Sequence, residues 1–96
     1  MDLTFEWDPK KAASNLAKHR VSFAEAASVF RDPHMVSLVD ELHSAEEERW
    51  ITMGTSATGR ILVVCHTLTR EAVGAIGIRI ISTRRATRQE RAHYEK

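Results

Sequence analysis

The chain has 96 residues, is 43% hydrophobic and carries a formal net charge of +1, which allows one small domain spanning 1–96 and excludes a second catalytic domain. Its longest apolar run, Ile61 to Cys65, is far too short to cross a bilayer, and the acidic start MDLTFEWD lacks the basic and apolar regions of a signal peptide. A cytoplasmic protein with no membrane partner is therefore expected, and the single cysteine, Cys65, agrees with a reducing compartment. The charge is unevenly spread: residues 1–48 sum to −5 and residues 49–96 to +6, the latter mostly arginine. Such a chain is suited to meeting an anionic ligand with one part and a basic partner with another.

Leu3, Phe5 and Trp7 alternate with polar residues, a short half-buried strand. Asp8-Pro9 supplies an N-cap and a first-turn proline for a helix that ends near His19 and Arg20. Ser22 and Glu25 form a capping box for a second helix, with Phe23, Ala26, Ala27 and Phe30 on its apolar side and Asp32-Pro33 as its stop. A strand is expected from Met35 to Leu42, a polar turn over HSAEEER, a strand at Trp50 to Met53, and a hairpin connection over GTSATG. Strands at Arg60–Thr67 and Val73–Ser82 follow, then an ordered linker to Ala86 and a helix at about 88–95 opened by the Thr87/Glu90 capping box. The order β-α-α-β-β-β-β-α, with short turns between consecutive strands, predicts an α+β fold: an antiparallel sheet with two N-terminal helices and a short C-terminal helix.

The strongest functional signal is the C-terminal run IGIRIISTRRATRQERAHYEK, where an apolar strand carries Arg79 and is followed by Arg84, Arg85, Arg88 and Arg91. This density of guanidinium groups suits a polyphosphate. Strand parity gathers Arg49, Arg60, His66 and Arg79 toward one surface of the meander if the faces coincide. RNA cleavage without a metal needs a base for the 2′-OH proton, an acid for the leaving 5′ oxygen and fixed cations for the charge on phosphorus. Arg79 and Arg84 suit the phosphate, His66 or His19 the proton transfer, and Glu48 or Tyr94 a supporting part. Arg79 could equally pair with a carboxylate of the Glu46–Glu48 run. The five histidines show no close pair at metal-ligand spacing, and there is no phosphate loop, dinucleotide fingerprint or nucleophile elbow, so neither a metal nor another cofactor is expected.

The stretches FEWDPKKAASNLAKHRVSFAEAASVFRDP, HSAEEERW, GTSATGRILVV and IRIISTRRATRQERAHYE follow, in order and spacing, those of the BrnT family of bacterial toxins, which the chain resembles over nearly its whole length. The resemblance implies a RelE-like ribonuclease fold, endoribonuclease activity that stops translation, and neutralisation by an adjacent BrnA-type antitoxin. It also implies a toxin–antitoxin hetero-oligomer that meets operator DNA only as the complex. Matched to the family motif, Lys18-His19, Glu48-Arg49, Gly59-Arg60, Arg79, Arg84 and Tyr94-Glu95 mark the active surface. Within it Arg79, Arg84, His19, Glu48 and Tyr94 stand as catalytic candidates, and Lys18, Arg49, Arg60, His66, Arg88 and Arg91 as RNA contacts. Arg20 stands where the family commonly has glycine, which would strain a left-handed helix end, and Thr83 replaces its alanine. The alternative is a non-catalytic module binding nucleic acid or protein through the basic C-terminal strand and helix.

Overall fold

The computed structural model describes residues 2–95. The elements follow the expected order: β1 (Asp2–Glu6), α1 (Pro9–His19), α2 (Phe23–Ser28), β2 (Val36–Val39), β3 (Trp50–Thr55), β4 (Ile61–Ala72), β5 (Ala75–Arg85) and α3 (Arg88–Tyr94), with 3-10 turns at Val29–Arg31 and Glu41–His43. The caps act as their sequences imply. The Asp8 carboxylate accepts from the Lys10 N–H at 2.8 Å, Ser22 Oγ accepts from the Glu25 N–H at 3.0 Å, and Thr87 and Glu90 complete a reciprocal capping box on α3. Arg20 closes α1 in the left-handed region, φ 59° and ψ 33°, the one described non-glycine residue with positive φ.

The strands form one sheet in the order β1-β5-β4-β3-β2. From β2 to β5 it is the expected antiparallel meander, but β1 joins β5 in parallel. The physical reason lies in the connection. The two helices carry the chain from one edge of the sheet to the other, so no hairpin ties the direction of β1 to that of its neighbour.

Both N-terminal helices cover a single face, where Val21, Phe23, Ala26 and Val29 pack on Leu62, Val64, Ile78 and Ile80, with Phe5, Phe30 and Ile76 at the margin. The second face is not covered by either helix. Two strands differ from expectation in ways that matter there. The strand expected to reach Leu42 ends at Val39 and gives way to a turn, and β5 continues to Arg85 where a linker had been expected after Ser82. Pairing with β4 supports that continuation, since Val63 faces Arg84 and Leu62 faces Arg85.

The register skips one residue between Cys65/His66 and Ser82/Ile80, leaving Ile81 as the extra residue of a bulge in β5. The bulge resets the alternation. Before it Ile78 and Ile80 face the helices; beyond it Thr83 does, and Arg84 faces the open side.

Candidate nucleic-acid cleft

The register corrects the expectation that Arg49, Arg60, His66 and Arg79 share a surface. His66 is 1% exposed, shares the helix-covered face with Leu62 and Val64, and meets Phe30 edge-on at 4.9 Å between ring centres. Its Nε2 lies 2.6 Å from the Thr52 hydroxyl, which in turn meets the Ser37 hydroxyl at 2.7 Å. Burial holds its pKa down to about 4. His66 is a neutral core residue and is not available to RNA. Arg60 also lies on the helix side, its guanidinium on Glu25 at 2.5 and 3.0 Å, and that ion pair with the Ser56 and Thr58 hydroxyls takes the Glu25 carboxyl down to about 2.

On the open face a cleft of about 310 Å³ lies over β3, β4 and β5. Ile51, Val63 and Cys65 form its floor, and Ile81, Ser82 and Arg84 one wall. Arg49 with Asp40 and His43 lines it from the loop joining β2 to β3, and His19 from the end of α1. Burial raises the Cys65 thiol, so the floor is a neutral one.

Local chemistry explains how these groups meet. β1 pairs β5 only as far as Arg79, so the last part of β5 has an open edge, which α1 fills. The Asn15 side chain accepts the Thr83 N–H at 3.0 Å and donates to the Thr83 carbonyl at 2.9 Å and the Val21 carbonyl at 3.1 Å. One buried amide thus stands in for a neighbouring strand, and it brings His19, one turn later, round the edge into the cleft.

The β2–β3 loop is closed by the Asp40 N–H on the Arg49 carbonyl at 2.8 Å. The Ser44 hydroxyl ties it further, donating to the Asp40 carbonyl at 2.5 Å and accepting from the Arg49 N–H at 3.0 Å. Within it His43 Nδ1 meets Asp40 Oδ2 at 2.8 Å. A carboxylate only accepts, so Nδ1 carries the proton and Nε2 of the neutral ring is left to take another.

Arg84 donates to both oxygens of Glu90, at 2.7 and 3.0 Å. Its guanidinium draws the Glu90 carboxyl down to about 2, and Arg84 is part of the cleft wall. A second groove of about 360 Å³, lined by Lys10, Lys11 and Lys18, shares His19, Ile81 and Ser82 with the cleft and prolongs it.

The other expected residues lie apart. Arg79 is on the open face but forms an ion pair with Glu47 and does not line the cleft. Glu48 is exposed outside it. Tyr94 donates to Asp32 and pins α3, lining a separate hollow of about 630 Å³ with Arg60, Arg85 and Arg91. Arg88 is exposed on the first turn of α3. Sequence reasoning missed His43 and Asp40; the signal available was an Asp and a His three apart in a polar turn, a spacing that lets them meet only if the strand stops before them. Lys10 and Lys11 on the first turn of α1 are further residues that sequence reasoning did not place at the site.

Among the described residues no helix is long and apolar enough to cross a membrane. A family profile described as "Ribonuclease toxin, BrnT, of type II toxin-antitoxin system" matches residues 7–90. The fold is similar to the crystal structure of the Brucella abortus ribonuclease toxin BrnT, with a TM-score of 0.60 and 20% sequence identity, covering 92% of this chain and 100% of that one. No curated protein matches the chain by sequence. With the family profile matching residues 7–90, the chain belongs to the BrnT family of ribonuclease toxins of type II toxin–antitoxin systems.

Proposed function

We propose that this chain is a metal-independent endoribonuclease of the cytoplasm that stops translation, is neutralised by a BrnA-type antitoxin, and meets operator DNA only in complex with it. The observation that supports this reading is the convergence of two histidines and two arginines, His19, His43, Arg49 and Arg84, in one cleft on the open face of the sheet.

In this reading His43 Nε2, with Asp40 holding its other nitrogen, takes the proton of a ribose 2′-OH. The 2′ oxygen attacks phosphorus, the P–O5′ bond breaks, and protonated His19 gives its proton to the departing 5′ oxygen. A 2′,3′-cyclic phosphate and a 5′-hydroxyl result. Arg49, through its planar fork, and Arg84, through the N–H groups that Glu90 leaves open, carry the charge that builds on the equatorial oxygens. The lysine groove leads the backbone of the RNA toward them. Arg79 serves as an outer phosphate contact, and Glu48 and Tyr94 have no part in proton transfer.

The test is digestion of total RNA by purified protein in EDTA with mapping of both new ends. Expected are cyclic phosphate ends, with His43→Ala and Arg84→Ala each slower by about two orders of magnitude or more. Normal cutting by His43→Ala would remove it from the mechanism. A second reading, a non-catalytic binding module, draws on the ion pairs that occupy Arg79 and Arg84; it requires salt-sensitive RNA binding with no cutting at any protein concentration.

A further inference from the structure

The large apolar side chains left exposed are not scattered. Of the eleven among the described residues, six, Met35, Val36, Leu38, Val39, Leu42 and Ile51, fall between positions 35 and 51. Leu38 is 67% exposed and Leu42 90%. Val36 and Leu38 of β2 stand opposite Met53 and Ile51 of β3, which stand opposite Val63 and Cys65 of β4. The open face therefore carries an apolar groove of about 480 Å³. It runs directly into the cleft, sharing Asp40, Ile51 and Val63 with it.

Width, rim charge and the neighbouring cation together select an occupant. The groove is three strands wide, about 10 Å at the usual strand spacing, which is the breadth of an α-helix with its side chains. Asp40, Glu41 and Glu90 are among its lining residues; Glu90 is paired with Arg84, and a second copy docked on the same patch would still set Asp40 and Glu41 against acids of their own kind. At the cleft end Arg49 has no carboxylate partner among the described residues, and a segment that ends there in an acid would find one.

We propose that this groove seats an amphipathic helix of the antitoxin, its apolar stripe on Val36, Leu38, Ile51 and Met53 and a carboxylate on Arg49, where it occupies the place of the scissile phosphate. The inference rests on the antitoxin reading above and names the surface through which inhibition acts. Binding and inhibition are then one event, because the groove has no boundary with the cleft.

The experiment titrates full-length antitoxin, purified from the adjoining reading frame, into wild type, Leu38→Asp, Leu42→Asp and, as a control on α1, Leu16→Asp, whose residue is 49% exposed. RNA cutting without antitoxin is measured alongside. Leu38→Asp and Leu42→Asp should each weaken binding by about 30-fold or more, with cutting unchanged, and Leu16→Asp should bind as wild type does. Leu42 lies in a turn outside the sheet, so its variant decides the matter if Leu38→Asp fails to fold. Unchanged affinity in the groove variants, equal loss in Leu16→Asp, or a wild-type dimer in sedimentation that Leu38→Asp dissolves would each overturn the proposal. Loss of binding in the groove variants of a chain that cuts no RNA would support the docking surface and overturn the ribonuclease reading.

Discussion

Burial of His66 should make the fold sensitive to mild acid, and the effect can be isolated. The ring is 1% exposed against Phe30 and Thr52, and desolvation takes its pKa from 6.5 down to about 4. Because the folded value is the lower one, the unfolded chain binds the proton first as pH falls. The contribution of the neutral ring is fully present above about pH 6.5 and is lost progressively down to about pH 4. At about 1.4 kcal/mol per unit, that displacement amounts to roughly 3 kcal/mol, a large share of the 5–15 kcal/mol typical of a domain. The carboxylates cannot mimic it. Glu25 and Glu90 are depressed from 4.5 to about 2, so their contributions are lost only below that window. Urea unfolding at half-unit steps from pH 7.5 to 4.5 should show the midpoint falling in wild type, and a much flatter profile in His66→Gln, which keeps a hydrogen-bonding group near Thr52. An equally steep fall in His66→Gln, or a flat wild-type profile, would refute the assignment.

Asn15→Leu should cost about 3 kcal/mol, since it deletes three hydrogen bonds and strands the buried backbone groups of Thr83; a thermal melt should drop by about 15 °C. Arg20→Gly should stabilise the protein by about 1 kcal/mol by relieving the left-handed conformation at φ 59°, read as a higher urea midpoint with an unchanged slope. Glu25→Gln should destabilise by about 2 kcal/mol at neutral pH, because Arg60, Ser56 and Thr58 all donate to that carboxylate. The deficit should shrink as the pH is lowered from about 4.5 toward 2, where the wild-type carboxyl also loses its charge.

The order of elements was legible because each helix announces its start: Asp8-Pro9, Ser22 with Glu25, and Thr87 with Glu90 act locally, and local chemistry is written in neighbouring residues. The helix end near His19 and Arg20 was legible too, but its left-handed conformation only through the glycine that the family commonly has in place of Arg20. The faces of the strands were not. Parity put His66 with Arg79, and a single extra residue, Ile81, separates them; nothing in IIST marks a bulge, and the Asn15 side chain that bonds Thr83 just beyond it comes from far away in the chain. The parallel place of β1 likewise depends on where two helices leave the chain. The Asp40–His43 pair was hidden by reading Met35–Leu42 as one continuous strand, which would have turned those side chains along a sheet instead of around a turn.

The acids next to the basic residues take on different roles once their exposure is compared. Glu47 and Arg79 are each about half exposed, and such a pair is worth only about 0–1 kcal/mol in water, so a phosphate can displace Glu47 at little cost. Glu90 is more sheltered, grips Arg84 through both oxygens and at the same time accepts the Thr87 N–H that opens α3. Displacing it would unfasten a helix start as well as an ion pair. In the proposed reaction Arg84 would therefore meet an anion with its guanidinium already oriented and its partner retained, whereas Arg79 would meet one by exchange. For the proposed reaction, whose charge develops only at phosphorus, the arginine that need not move is the better placed of the two, and the strand that continues to Arg85, three residues past its expected end, is what puts it there.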